Sequence, residues 1–163
     1  MVRTDYDRHA LVDWIGRSVE SYGWDCLAFC VMDTHYHLLV TTPEPNLAEG
    51  MQYLNGCYAQ GFNRRYGRRG HLFRERYYGG RILADGHLLL VVRYIALNPV
   101  AANLARAPAL YHWSSYPGVV GAAPSWNFVA KTKLLAHFGP PRVASRRLRA
   151  LVEDRREPAG AAP

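Results

Sequence analysis

Apolar residues in the first part of the chain recur at the spacing of an α-helix. They are Leu11, Trp14, Ile15, Val19 and Tyr22. Residues three or four positions apart lie on one side of a helix, so this set predicts an amphipathic helix from about Asp7 to Tyr22. Gly23 follows directly and is a typical helix end.

Two strand-like stretches follow this helix. The segment from Trp24 to Met32 is largely apolar, and so is the segment from His35 to Thr42. Asp33 and Thr34 lie between them and are typical of a tight turn, while Pro43 and Pro45 interrupt the second stretch. The pattern predicts a β-hairpin.

A second amphipathic helix is predicted after the hairpin. Its apolar face consists of Leu47, Met51, Leu54, Tyr58 and Phe62. Asn46 and Glu49 have the spacing of a capping box at its start, and Gly67 is expected near its end. Beyond it, the stretch from His71 to Leu83 alternates enough to predict a further strand, with Gly79 and Gly80 near its end.

The remainder of the chain is predicted to be helical. Asp85 can cap a helix from Gly86 to about Leu97, and Pro99 should end it, because the residue before a proline disfavours helical geometry. Two weaker helical segments span Asn127 to His137 and Pro141 to Glu153. The closing residues PAGAAP are expected to be disordered.

Length and composition indicate one globular domain with a short appendage. The chain has 163 residues, of which 49% are hydrophobic. It has neither the apolar core of a signal peptide nor an apolar run of about 20 residues, so we expect a cytoplasmic protein without a membrane segment. Its three cysteines favour neither a disulfide framework nor a zinc site, since no second cysteine pair is present.

The charge of the chain favours a nucleic-acid partner. The formal net charge is +7, and only two of the 20 basic residues are lysines. Arginine binds phosphate with two parallel hydrogen bonds and stacks on aromatic rings. Charge alone is a weak signal, however, because many basic proteins bind no nucleic acid.

Two histidines lie close together in the predicted hairpin, in the sequence MDTHYHLLV. On a strand, His35 and His37 would point to the same side and could form half of a metal site. Tyr94 and Asn98 are four positions apart on a later predicted helix and therefore share one face of it. Each pair alone is more often structural: surface histidines in one case, a core tyrosine and a capping asparagine in the other.

Together, these motifs resemble the HUH single-tyrosine nucleases, and most closely the REP-associated tyrosine transposases of bacteria. The similarity runs through most of the chain and includes MDTHYHLLV, RYIALNPVAANL and YHWSSY. It implies that His35, His37 and Asn98 hold a divalent cation, Mg²⁺ or Mn²⁺, and that Tyr94 is the nucleophile. Attack by this tyrosine would cut single-stranded DNA and leave a 5′-phosphotyrosine, with hairpin-forming DNA such as REP palindromes as the substrate.

A belt of arginines and aromatic residues, FNRRYGRRGHLFRERYYGGR, extends from Phe62 to Arg81 and contains seven arginines. Arginines interleaved with rings suit single-stranded DNA, since phosphates pair with arginine and bases stack on rings. Arg74, Arg76 and Tyr78 would share one face of the predicted strand. The expected DNA contacts are these three residues and, more loosely, Arg65, Arg68 and Arg69. Tyr77 and Tyr78 are also the alternatives to Tyr94 as nucleophile.

The resemblance also implies a fold. Such proteins have an α+β, ferredoxin-like antiparallel sheet with helices on one face. Here Met1 falls where the loop after the first strand would be, so that strand is expected to be missing. Its place could be filled by residues upstream of this sequence, by rearrangement of the sheet or by a second chain. A binding module without catalytic activity, for DNA or RNA, is therefore the alternative function.

The expected organisation is a shortened HUH domain over residues 1–122, a helical extension over 123–156 and a disordered tail over 157–163. The protein is expected to act as a monomer or homodimer, in the cytoplasm and associated with the nucleoid.

Overall fold

The computed structural model describes residues 1–154 of the chain as a mixed helical and β-strand protein. The helices are α1 (Asp5–Tyr22), α2 (Leu47–Tyr66), α3 (Asp85–Ala101), α4 (Tyr116–Val119), α5 (Lys131–Ala136) and α6 (Pro141–Glu153). The strands are β1 (Asp25–Val31) and β2 (Tyr36–Thr41), and a short 3-10 helix spans Pro108–Leu110. An α+β architecture was expected, and its coarse class is confirmed.

The first helix begins and ends as its sequence predicts. Thr4 is the N-cap residue, and a capping box joins it to Asp7, whose carboxylate accepts a hydrogen bond from the Thr4 backbone N–H at 3.0 Å. Gly23 ends the helix in the left-handed region, with φ of 65°. Glycine adopts this conformation without the steric cost that a side chain would add.

The predicted hairpin forms, as a two-stranded antiparallel sheet in which Cys30 is opposite His37. Residues Cys26 to Val31 are all buried. Because successive residues of a strand point to opposite faces, this unbroken burial means that both faces of β1 are covered. A ferredoxin-like sheet with helices on one face was expected, and that finer architecture stays a prediction.

The two outer edges of this sheet differ. Beside β1, residues that follow α3 provide backbone hydrogen bonds: Ser115 N–H donates to Phe29 at 3.0 Å, and Ala130 N–H donates to Cys26 at 2.8 Å. Within residues 1–154, no strand pairs with the other edge of β2. Residues that follow α3 therefore cover the outer edge of β1, whereas the outer edge of β2 has no partner strand within residues 1–154.

The second helix has the predicted apolar face but not the predicted cap. The Asn46 side chain makes no capping hydrogen bond. Instead it accepts a hydrogen bond from the indole of Trp24 at 2.8 Å and donates one to the Tyr22 carbonyl at 3.0 Å. Asn46 thus joins α2 to the end of α1, because these buried tertiary partners compete for the side chain that would otherwise cap the helix.

The strand predicted from His71 to Leu83 is wrong. Residues 67–84 form no helix or strand, and most of them are exposed. Arg74, Arg76 and Tyr78 therefore do not share the face of a strand. A strand requires a partner for its backbone groups, and neither β1 nor β2 pairs with this segment. We call residues 67–84 the arginine loop.

The third helix differs from its prediction at both ends. Ala84 is the N-cap, without a side-chain hydrogen bond, and Asp85 is the first helical residue and not the cap. The helix continues through the buried Pro99 to Ala101. A proline this close to the end removes only one helical hydrogen bond, and its carbonyl accepts one from the Leu104 N–H at 2.8 Å. The cost is small enough for packing to keep Pro99 helical.

The C-terminal helices pack against the rest of the chain. The segment predicted from Asn127 to His137 is helical only over α5, whereas α6 spans the predicted residues. Arg93 of α3 donates hydrogen bonds to the carbonyls of Leu151 at 3.0 Å and Asp154 at 3.3 Å, which joins α3 to the end of α6. The disordered tail expected over 157–163 lies outside the described residues. Over residues 1–154, no helix is both long and apolar enough to cross a membrane.

Candidate active site

The hairpin brings the two predicted histidines together. His35 immediately precedes β2, and His37 is the second residue of that strand. Their ring centroids are 4.9 Å apart, with the ring planes nearly perpendicular at 84°. His35 is exposed and His37 is partly buried, so the pair opens to solvent on one side.

Tyr94 meets this pair from α3. Its ring centroid lies 5.2 Å from that of His37, and 57% of the residue is exposed. The structure therefore brings together the predicted nucleophile and one predicted ligand from elements more than 50 residues apart in the chain. Tyr77 and Tyr78 lie in the arginine loop, and within residues 1–154 neither has a ring contact with the histidine pair.

Asn98 lies one helical turn after Tyr94. Its amide nitrogen donates a hydrogen bond to the Tyr94 backbone carbonyl at 3.0 Å. The amide oxygen is the remaining atom that can act as a ligand. Because Asn98 is one turn from Tyr94, whose ring contacts His37, the three predicted ligand residues lie in the same region of the molecule.

The surroundings of His37 favour its neutral form. Burial lowers the pKa of His37 below its ordinary value, the neighbouring His35 acts in the same direction, and Asn98 opposes them in part. The His37 Nε2 atom is buried and, among residues 1–154, has no hydrogen-bond partner. A neutral imidazole with an unpaired buried nitrogen is suited to bind a metal ion.

The donors present fit a divalent cation. His35 and His37 offer ring nitrogens, and Asn98 offers an amide oxygen. A group of three or more His, Cys, Asp or Glu side chains that could hold a metal is absent from residues 1–154. The candidate site therefore depends on the asparagine as its third ligand.

Thr34 is a contact of this site that no sequence pattern predicted. Its hydroxyl oxygen lies 3.1 Å from Nδ1 of His35. A hydrogen bond to one ring nitrogen of a histidine fixes the ring's orientation and leaves the other nitrogen available. Sequence could have suggested this residue only through its position next to the histidine.

The predicted DNA-contact residues lie in the arginine loop, except Arg65, which lies at the end of α2. Arg74, Arg76 and Tyr78 are exposed in the arginine loop, and Tyr78 is 98% exposed. Arg65 lies instead at the end of α2, where its guanidinium carbon is 3.2 Å from the centre of the Tyr6 ring. Arg68 and Arg69 follow α2 directly and are also exposed.

Two aromatic–arginine contacts near α2 involve residues that no sequence pattern predicted. Arg3 lies over the ring of Tyr66 at 4.6 Å, and Tyr6 lies under Arg65. Arg3 and Tyr6 both lie outside the belt from Phe62 to Arg81. No spacing rule indicates these pairs, because they form only when the start of α1 meets the end of α2.

A comparison with known protein families supports a role in DNA processing. The model of a family described as "Transposase IS200 like" matches residues 1–98, more than half of the 163 residues. These residues include His35, His37, Tyr94 and Asn98. The fold and the match thus define a protein of the transposase class.

The chain belongs to the IS200-like transposase family. The prediction of a transposase is confirmed at this level. Comparisons with curated proteins and with solved structures gave no significant match.

Proposed function

We propose that the protein is a metal-dependent endonuclease and strand transferase for single-stranded DNA, of the REP-associated type. Its substrate is DNA that folds into a hairpin, and it acts as a monomer or homodimer in the cytoplasm near the nucleoid. Its ferredoxin-like HUH architecture is part of the same proposal. The observation that carries it is the contact between the Tyr94 and His37 rings at 5.2 Å.

In this proposal, His35, His37 and Asn98 hold Mg²⁺ or Mn²⁺. Such an ion polarises the scissile phosphate and stabilises the charge that develops in the transition state. The unpaired Nε2 atom of His37 supports its role as a ligand. Family resemblance, more than ligand chemistry, favours magnesium or manganese, because two imidazoles and an amide also suit zinc.

Tyr94 is the proposed nucleophile. Its phenolic oxygen attacks the phosphorus, the bond from phosphorus to the 3′ oxygen breaks, and the DNA segment downstream of the cut stays joined to Tyr94 through its 5′ phosphate. The phenol proton passes to solvent, which reaches Tyr94 because the residue is 57% exposed. The departing 3′ oxygen takes up a proton, and a 3′-hydroxyl can later attack the phosphotyrosine and reseal the strand.

The arginine loop supports the same substrate. It leads from α2 into α3, the helix that carries Tyr94. Exposed arginines and the exposed Tyr78 ring suit phosphates and unpaired bases respectively. Arg74, Arg76 and Tyr78 are therefore proposed as contacts for the single strand near the scissile bond.

The proposal is tested by incubating the protein with end-labelled hairpin DNA and Mn²⁺. The wild type should form a DNA–protein adduct that survives denaturation, and Tyr94→Phe should form none. Tyr77→Phe and Tyr78→Phe are matched controls, and each should retain the adduct. An adduct that persists in Tyr94→Phe would contradict the assignment of the nucleophile.

The second candidate is a binding module without catalytic activity, for DNA or RNA. The observation that favours it is the edge of β2, which no strand within residues 1–154 covers on the side away from β1. His37 lies on this strand, so an incomplete sheet would leave a ligand less firmly held. Binding of the hairpin by the wild type without any adduct would support this candidate.

A further inference from the structure

The start of α1 and the end of α2 form a fixed contact, which we call the helix joint. The buried Asp7 carboxylate accepts hydrogen bonds from the Tyr66 hydroxyl at 2.7 Å and from the Arg3 and Thr4 backbone N–H groups at 2.9 and 3.0 Å. Charge-assisted hydrogen bonds of this kind are stronger than neutral ones. The two helix ends are therefore held in a defined relative position.

Exposed arginines lie on the rings of this joint. Arg65 is 3.2 Å from the centre of the Tyr6 ring, and Arg3 is 4.6 Å from the centre of the Tyr66 ring. Within residues 1–154, neither arginine forms an ion pair with a carboxylate. Each guanidinium is positioned by a ring on one face, while its N–H edge can still bind an anion.

The helix joint is connected to the candidate active site. Arg8, on the first turns of α1, forms ion pairs with Asp5 and with Asp33. Asp33 lies in the turn just before His35. Arg8 thus links α1 to the turn that carries the histidines, whereas Arg3 and Arg65 form no ion pair with a carboxylate within residues 1–154.

The rings of the joint distinguish it from a platform for unpaired bases. Single-strand binding surfaces offer free ring faces for base stacking. In the joint, a guanidinium group lies over one face of Tyr6, which is 59% exposed, and another over one face of the partly buried Tyr66, whereas Tyr78 in the arginine loop is 98% exposed. The joint thus offers fixed cationic groups more than stacking surfaces, and fixed cations suit the regularly spaced phosphates of a duplex.

We infer that the helix joint binds the sugar–phosphate backbone of a double-stranded DNA stem, through Arg3 and Arg65. This rests on the proposed function, which supplies a hairpin as the substrate. The stem then lies on the joint while the unpaired strand follows the arginine loop to Tyr94. The joint recognises the presence of a duplex and not its base sequence, because phosphate contacts carry no sequence information.

The test measures the affinity of the full chain for two labelled DNA probes by fluorescence anisotropy over a series of salt concentrations. One probe is a hairpin with a single-stranded extension, and the other has the same extension with the stem scrambled so that it cannot pair. The double variant Arg3→Ala/Arg65→Ala is compared with Arg17→Ala. Arg17 is a matched control, since it lies over Trp14 at 4.9 Å on the same helix, away from the joint.

The double variant should bind the hairpin at least about tenfold more weakly than the wild type, as expected for the loss of charge-assisted hydrogen bonds. Its plot of log affinity against log salt should become shallower by about one unit for each arginine. Affinity for the unpaired probe should change little, and Arg17→Ala should match the wild type on both. Arg65→Gln, with thermal unfolding followed by circular dichroism, separates loss of binding from loss of fold.

Two results would overturn the inference. An unchanged hairpin affinity and salt slope in the double variant would remove the joint from the binding surface. An equal loss for both probes would show that the joint does not distinguish a duplex. In either case the proposed function stands if the wild type still forms the Tyr94 adduct, whereas its absence from wild-type reactions would count against that function alone.

Discussion

The helix joint and the arginine loop have similar compositions but very different structures. Both combine arginine with tyrosine or phenylalanine. In the joint, Asp7 accepts hydrogen bonds from side-chain and backbone groups, and Arg3 and Arg65 lie on rings. In the loop, residues 67–84 form no helix or strand, and Tyr78 is 98% exposed.

The difference shows what a buried carboxylate adds to a basic surface. Asp7 fixes the two helix ends, so the joint's arginines keep defined positions before any ligand arrives. The loop is held by the Asn63 amide, which donates to the Gly70 carbonyl at 2.8 Å, and by Phe73, but its backbone pairs with neither strand. A pre-positioned surface suits a rigid duplex, while an unpaired segment suits a flexible single strand.

The largest expected effect follows removal of the joint's anchor. Asp7→Ala should lower the free energy of unfolding by about 1–3 kcal/mol, because the Tyr66 hydroxyl and the Arg3 and Thr4 N–H groups lose their shared acceptor. Thermal denaturation measures this change. Asp13→Ala, at an exposed position of the same helix, is the control and should leave stability nearly unchanged. Equal melting temperatures in the two variants would contradict the anchoring role.

In the arginine loop, by contrast, a substitution should change DNA binding and not stability. Tyr78→Ala should weaken binding of single-stranded DNA by about 1–3 kcal/mol, the usual value of one stacked base, without changing stability. Tyr78→Phe keeps the ring and should retain most of the affinity. Titration of a labelled unpaired oligonucleotide measures both variants, and a loss in Tyr78→Phe as large as in Tyr78→Ala would point to the hydroxyl instead of stacking.

Acid should weaken the joint more than the loop. Burial alone would raise the pKa of Asp7, but hydrogen bonds from the Tyr66 hydroxyl and from the backbone of Arg3 and Thr4 hold it below its ordinary value. The folded state therefore binds this proton less readily than the unfolded state.

Asp7 therefore stabilises the folded state fully at pH values above the ordinary pKa of an aspartate, which is about 4. This contribution to stability is lost as the pH falls from that value through the lower pKa that Asp7 has in the folded state. Urea unfolding between neutral pH and pH 3 should show this loss in the wild type, and the dependence should be smaller in Asp7→Asn. If the free energy of unfolding fell equally with pH in the wild type and in Asp7→Asn, the result would argue against a lowered pKa of Asp7.

The smallest expected effect concerns the ring contact itself. Arg65→Lys keeps the charge but loses the planar guanidinium over Tyr6. It should cost less than about 0.5–1 kcal/mol of stability, the range for a whole exposed cation–ring contact, because a lysine ammonium can keep part of that contact. Arg76→Lys in the loop is the control and should cost nothing measurable. Identical unfolding curves for the two variants would remove the distinction between the two arginine sites.

Several parts of the fold could be predicted because their signals are local. The apolar spacing of α1, its end at Gly23 and the turn between β1 and β2 each depend on neighbours in sequence. The arginine loop could not be predicted in this way. Alternation from His71 to Leu83 is compatible with a strand, but a strand also needs a partner for its backbone groups, and that depends on the whole sheet.

The candidate site, too, could be predicted only in part from the sequence. His35 and His37 are adjacent because of strand geometry, and Tyr94 and Asn98 because of helix geometry, so each pair could be predicted locally. Family resemblance was needed to join the two pairs, and the 5.2 Å contact between the His37 and Tyr94 rings appears only in the folded chain. Thr34, Arg3 and Tyr6 gave no periodic signal.

By itself, the sequence determined the helices with clear apolar faces, the hairpin, the basic charge and the two halves of the candidate site. Only the tertiary structure decided that Pro99 stays helical, that Asn46 binds Trp24 instead of capping α2, and that Arg65 faces α1 and not the loop. The physical reason is the same in each case. Local preferences are worth from about 1 kcal/mol for a helix cap to about 3 kcal/mol for a proline within a helix, and burial or a distant hydrogen-bond partner can outweigh them.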